Sequence, residues 1–458
     1  MDRQPNGQLA AILAESGWSH AGFAKRVNDE CRRRGSPRSY TATSAANWLS
    51  GMVPSAPVPD VLAYLFTERL GRGVDLHDLG YAEGLPSDLG LTWERTTRTT
   101  VGTVARLWRS DMERRAVLLG SAWVATAFAT PTREWLLDWL EDDTTHTGSR
   151  LVGAAEIEVV WSMCRAFADA DQRLGGGYAR STLTHYVSQL VVPMLDGTYT
   201  DKIGRLLMAA TARLCDLAGF MAFDSGAQGL GQRYYIQGLR LARASRDRAL
   251  GAHILVDMAM QAQYLGNAVE ACSLARAGQR AAKESGSYAS VSRACAMEAR
   301  AHARLGDHRR CAHAMVQAER ALDRVQAEEE PFWIRFFTAA QLYAEFTYAA
   351  LDQDRTGDVQ RFAPAALGGS AEMERRRVLV TAALASSHLS AGGDGGGRSD
   401  VDEACAILEE TLPLVRVLTS KRGVEAVNQV RRQLVPHRDH EAVQRLEAAF
   451  GPLIGAAA

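Results

Sequence analysis

Apolar residues recur along this chain at intervals of three and four, the spacing of one face of an α-helix. Leu9, Ile12 and Leu13 mark a first helix over residues 6–16. Ser19 can cap a second, running through Ala21, Phe23, Ala24 and Val27 to the Arg32, Arg33, Arg34 cluster, where Gly35, Ser36 and Pro37 break it. Ala45, Trp48 and Leu49 give a third helix about two turns long, capped by Thr41 or Thr43, ended by Gly51 and blocked by Pro54. Leu62, Leu65, Phe66 and Leu70 give a fourth, and residues 75–79 one more helical turn. Leu85 to Thr100 reads as a linker. Helical spacing resumes with Val104, Leu107, Trp108, Met112, Val117 and Leu118, then Trp135, Leu136 and Trp139, then Ile157, Val160, Trp161, Cys164 and Phe167. The uncharged run Ala116 to Thr132 predicts a buried helix, too short for a membrane span. The polar stretch Glu141 to Ser149 predicts a mobile loop.

The C-terminal half repeats itself. Gly226, Gly266 and Gly306 stand 40 residues apart, and Gly231, Ala271 and Cys311, then Gly238, Gly278 and Ala318, follow at fixed offsets. All nine are small. Two antiparallel helices approach closely only where side chains are small, and the turn between them needs a residue free to adopt positive φ. Such a pair cannot bury its apolar face alone, so copies must stack. The units read as residues 202–246, 247–284 and 285–328, with fainter ones over 332–367 and 372–417. The glycine-rich stretch 392–397 interrupts the last, and helices over 424–434 and 441–450 cap the open end. Trp333, Phe336, Phe337, Tyr343 and Phe346 fall on a helix of the fourth unit, as core residues or as a concave ligand-binding face.

The predicted class is all-α: a small helix-turn-helix domain (1–84), a helical middle region (85–200) and a helical-repeat array with capping helices (201–458). A chain of 458 residues, 47% hydrophobic and 23% charged, suits about three folded domains. Its net charge of −1 excludes a wholly basic nucleic-acid protein, so any DNA contact must be local. Residues 19–52 meet that condition: six basic residues against Asp29 and Glu30 make a local +4. There is no basic-then-apolar leader, so no secretory signal is expected. Seven cysteines without a C-x-x-C pair argue against a zinc site or disulfide framework and fit a cytoplasmic protein.

The third helix carries the candidate chemistry. Its back is apolar; its front presents Thr43, Ser44, Asn47 and Ser50, short side chains able to reach base edges in a major groove. Arg38, Thr41 and the Arg32, Arg33, Arg34 cluster are the candidates for holding phosphates and setting register. Taken alone, the same stretch also fits a surface helix of a bundle, and the arginines a solvated helix end. Gly175, Gly176 and Gly177 do not form a phosphate loop: no strand precedes them and no Lys-Ser or Lys-Thr follows, so a tight helix–helix turn is expected. His308, Cys311 and His313 cluster, but only the first two share a helical face, and they read as surface and packing residues. G-x-S-x-G, H-E-x-x-H, G-x-x-x-x-G-K and G-x-G-x-x-G are all missing, so neither an enzyme nor a cofactor is expected.

Four separated blocks occur in one order: Ser44 to Gly51, Asp171 to Gly177, Leu217 to Gly226 and Ala296 to Gly306. With them the chain resembles the actinobacterial, Streptomyces-type regulators that join an N-terminal helix-turn-helix of the Cro/repressor class to a C-terminal tetratricopeptide array. The resemblance implies a sequence-specific transcription regulator of development or secondary metabolism, binding double-stranded DNA as a homodimer. Its array would take a peptide, small-molecule or protein effector. Two features depart from that pattern. Members often carry arginine where this chain has Asn47 and Ser50, which weakens phosphate anchoring. The 40-residue period also exceeds the roughly 34 of the repeat. The alternative is a protein-interaction scaffold with a degenerate helix-turn-helix.

Overall fold

The computed structural model describes residues 5–34, 39–55, 57–70, 74, 76, 78–81, 88–113, 118–137, 143–369, 373–390 and 400–454. It is all-α; among the described residues the only β pairing is two isolated bridges, His146 to Tyr199 and Leu151 to Thr198. Arg38, the 35–37 breaker, Trp139 and the 392–397 insert lie outside the described residues.

Four helices make the N-terminal unit: α1 (Gly7–Ser16), α2 (His20–Arg33), α3 (Ala42–Leu49) and α4 (Val58–Leu70). They enclose their own core of Leu9, Phe23, Val27, Trp48, Leu62 and Phe66. Asn6 caps α1 by accepting from the Leu9 amide at 3.0 Å, and its Nδ2 donates to the Leu79 carbonyl at 2.6 Å. The described part of the expected fifth helix, Leu76 and residues 78–80, is a turn. Residues 88–96 do not hang free as a linker. Gln237 Nε2 donates to the Gly90 and Thr92 carbonyls, each at 3.0 Å, and Arg240 Nε donates to that of Glu94 at 2.7 Å.

One hydrophobic cluster then runs from Val101 to Phe362. Helices α5 (Thr97–Glu113), α6 (Ala129–Leu137), α7 (Ala154–Leu174) and α8 (Gly176–Tyr186) pack on helical hairpins that follow in sequence. The first three hairpins are α9 (Asp201–Asp224) with α10 (Gln228–Ser245), α11 (Arg248–Tyr264) with α12 (Ala268–Ser285), and α13 (Tyr288–Arg304) with α14 (His308–Leu322). The fourth is α15 (Ala339–Leu351) with α16 (Thr356–Gly368). The first helix of each touches the first helix of the next, an order compatible with a solenoid. The repeat glycines do what their spacing predicts: Gly226, Gly266 and Gly306 turn each of the first three hairpins at φ of 88°, 84° and 72°. Farther on, α17 (Glu374–Leu389), α18 (Val401–Glu409), α19 (Leu412–Val417), α20 (Lys421–Leu434) and α21 (Glu441–Ile454) share a second core around Val378, Leu408, Val427 and Phe450. Helix α9 is long and apolar enough to cross a membrane by composition, but 89% of its most apolar window is buried inside the protein.

Three further expectations are corrected. The run ending at Thr132 is not one helix. Its described part turns at Gly120, runs irregularly through Val124 and becomes helical again at Ala125. Buried backbone off the helix needs partners, and Gln232 supplies both, accepting from the Val124 amide at 2.9 Å and donating to its carbonyl at 2.8 Å. The described part of the polar stretch before Ser149 is not a loose loop, because residues 144–152 pair with 196–201. Thr144 Oγ1 donates to the Asp201 carbonyl at 2.9 Å, and His146 and Tyr199 bond through their backbones. Trp333 and Phe336 lie in turns, and Phe337 in the irregular segment, before α15 rather than on a helix.

Gly251 lets the middle region dock. A Cβ there would sit 1.9 Å from Cη2 of the buried Trp135 on α6. Gly251→Ala therefore overpacks the α6–α11 contact and is expected to cost about 1–3 kcal/mol. Urea unfolding checks this, and a midpoint equal to wild type contradicts the packing.

Candidate nucleic-acid interface

The candidate reading helix α3 is held from behind. Trp48, 2% exposed, meets Phe23 edge-on at 6.0 Å and Tyr40 at 5.3 Å. A contact that sequence reasoning missed fixes how α3 sits on α2. Asn28 Nδ2 donates to the Tyr40 carbonyl at 2.8 Å, while its Oδ1 accepts from the Tyr40 amide at 2.7 Å. A lone asparagine in the middle of a helix gives no signal of that partner, twelve residues away.

The front of α3 divides in two. Thr41 and Ser44 form a reciprocal cap: the Ser44 amide donates to Thr41 Oγ1 at 3.4 Å and the Thr41 amide to Ser44 Oγ at 3.2 Å. Ser50 Oγ donates to the Asn47 carbonyl at 2.9 Å. These three side chains therefore serve the ends of their own helix. Thr43 and Asn47 are exposed, one turn apart, with no side-chain hydrogen bond among the described residues. They are the pair left to contact a ligand.

The basic cluster is likewise divided. Arg32 pairs with Asp29, Arg33 with Glu30 at 3.3 Å, and Arg34 with Glu30 at 2.9 Å while lying over Tyr64. Arg32 and Arg33 keep 71% and 77% of their side chains exposed; Arg34 keeps 37% and is turned inward. Exposed ion pairs are worth about 0–1 kcal/mol, so Arg32 and Arg33 can exchange their carboxylates for phosphates at small cost.

A second constellation lies inside the hairpin array, where sequence reasoning named only aromatics. A cavity of about 860 Å³, its open mouth included, is lined by Arg213, Arg293, Arg300, Arg375, Arg376 and Arg422. Apolar lining comes from Leu217, Phe220, Met260 and Phe336. Arg213 pairs with Asp216, Arg293 with Asp257, Arg300 with Glu345 at 3.0 Å, and Arg375 with Asp171 at 2.9 Å. Asp224 takes Arg422 Nε at 2.9 Å and Arg375 Nη1 at 3.3 Å. Burial, followed by the Asp257 charge, pushes the Asp216 carboxyl up to about 8 against the pull of Arg213 and Arg293. Burial and the same two guanidiniums hold His253 well below its usual range, so it is neutral.

Two groups of candidate metal ligands also stand close together. Asp216, His253 and Asp257 already face Arg213 and Arg293, which supply the positive charge a metal would bring. Cys272, Glu298 and His302 have Arg276 among them, its Nε donating to Glu298 at 2.7 Å. His308, Cys311 and His313 are not brought together as a ligand set among the described residues.

The SP15 N-terminal domain family model matches residues 9–82, the stretch that folds into α1–α4 and the turn behind them. No curated protein and no solved structure matches the chain.

Proposed function

We propose that this chain is a sequence-specific DNA-binding regulator of transcription, of the Streptomyces type it resembles, with a tetratricopeptide-like array that senses an effector. The observation that carries the reading is the pair Thr43 and Asn47, exposed and unengaged on a helix whose back is locked by Trp48. Asn47 can pair with adenine N6 and N7 in two-pronged fashion, and the exposed Arg32 and Arg33 at the end of α2 are the phosphate candidates. Two half-sites call for a homodimer. The reading assigns no catalysis and no cofactor. Seven buried, unpaired cysteines support a reducing compartment, the cytoplasm.

Genomic DNA capture followed by binding to the best fragment tests it. Asn47→Ala is expected to weaken binding by about 1–3 kcal/mol and to relax preference at one base position, leaving the salt slope unchanged. Removing Arg32 or Arg33 is expected to weaken all sequences alike and to reduce the slope by about one. One observation favours a second reading: Thr41, Ser44, Ser50 and Arg34 are all engaged within the unit itself. An interaction scaffold follows if no fragment is enriched and a defined protein is captured instead.

A further inference from the structure

The cavity inside the array gathers guanidinium groups from four helices. Six arginines line it. Among the described residues, the carboxylates facing them include Asp171, Asp257 and Glu345 on the wall, and Asp216 and Asp224 behind it. Nearby, Arg304 and Asp352 answer each other at 3.5 Å. Arg213 and Arg293 are each only 6% exposed. Guanidiniums gathered this closely favour an anion among them. Two donors also stand unused: Arg213 Nε and Arg300 Nε are buried without a hydrogen-bond partner among the described residues.

The apolar part of the lining says what accompanies the negative charge. Arg375 and Arg422 lie over the Phe220 ring at 4.6 and 5.2 Å, and Arg293 over Phe336 at 5.5 Å. Leu217 and Met260 join these rings on the lining, and Gln172 and Gln341 add hydrogen-bonding amides. Guanidinium forks match planar or tetrahedral oxyanions in bidentate fashion, and a mostly apolar cleft with a few converging polar groups is the usual form of a small-molecule site.

We infer that this cavity is the binding site of a small organic anion, one with a carboxylate or phosphate head and a flat apolar body. This names the effector class for the sensor half of the proposed function; binding itself does not depend on that reading, and only its coupling to DNA rests on it.

Isothermal titration of the full-length protein tests the site with three probes: phenyl phosphate, phenylacetate and inorganic phosphate. One of the aromatic anions is expected to bind at one per chain, on the order of tenfold tighter than inorganic phosphate. Whichever binds better identifies the head group. Arg213→Gln is expected to weaken that probe on the order of tenfold, the value of one charge-assisted hydrogen bond. Phe336→Ala is expected to weaken the aromatic probes while leaving inorganic phosphate unchanged, and it decides the matter if Arg213→Gln does not fold. No heat and no rise in melting temperature with any probe at millimolar concentration overturns the inference, and so does binding that ignores both substitutions. A probe that binds as expected but leaves DNA capture unaltered upholds the anion site and counts against the regulatory coupling alone.

Discussion

Asp224→Ala is expected to destabilise the array by about 3–5 kcal/mol, the cost of removing one partner from a buried ion pair and leaving the other charge behind. Asp224 is fully buried at the end of α9 and holds four donors at once. It accepts from the Gly176 amide at 3.0 Å, from Ser420 Oγ at 2.8 Å, and from Arg422 and Arg375. These partners come from the start of α8, the segment entering α20, and α17, so one carboxylate ties the middle region and the C-terminal helices to the first hairpin. Burial alone would raise its pKa; the two guanidiniums, the amide and the hydroxyl outweigh that and hold it below the usual carboxylate range. A depressed carboxylate contributes stability above its ordinary pKa and loses it as pH falls. The gap between wild type and variant should therefore be widest at neutral pH and narrow toward acid. Urea unfolding at neutral and acid pH checks both statements, and a variant within about 1 kcal/mol of wild type at neutral pH contradicts this account. Asp224→Asn, which keeps the size and an accepting oxygen, should recover part of the loss.

The sequence reveals the parts of this protein that follow from local periodicity and conceals those that depend on distant partners. Gly226, Gly266 and Gly306 announce the hairpin turns because a repeat must solve the same backbone problem at each copy, and only φ near +80° solves it. The apolar backs of α1–α4 are legible for the same reason. Gln232 is not: it reads as an ordinary polar helix residue, yet it satisfies the backbone of Val124 from 108 residues away. Of the triple glycine at 175–177 only Gly175 lies in the turn between α7 and α8, at φ 84°; Gly176 and Gly177 open α8, and the role of Gly176 is steric. A Cβ on Gly176 would lie 2.6 Å from the Met221 carbonyl oxygen. In the candidate site the face of α3 is legible, while its division is not. Which of Thr41, Ser44, Asn47 and Ser50 remain available depends on capping hydrogen bonds that any of these polar residues could make. The arginine-lined cavity had no local signature, since its six arginines are drawn from α9, α13, α17 and α20 and only stacking the helices brings them together.

Trp48→Ala is expected to unfold the N-terminal unit while leaving the array standing. The indole is 2% exposed and fills the space between α2, α3 and the Tyr40 segment, against Phe23 and Tyr40. Phe23 in turn meets Phe66 at a tilt, 5.3 Å away, and Trp18 stacks on Phe66 at 5.3 Å, so the ring removed is a link in an aromatic chain that runs from Tyr40 to Trp18. Truncating a buried aromatic residue costs about 3–5 kcal/mol, and a core this small rarely supplies more than about that much. The array keeps its own cores, around Val101 to Phe362 and around Val378 to Phe450. Thermal unfolding followed by circular dichroism should therefore lose an early fraction of helix and retain the main transition at its wild-type temperature. If α3 reads DNA, capture of the preferred fragment disappears with that early fraction, whereas the anion probes still bind the array. A single transition moved as a whole to lower temperature would show instead that the N-terminal unit and the array unfold as one body.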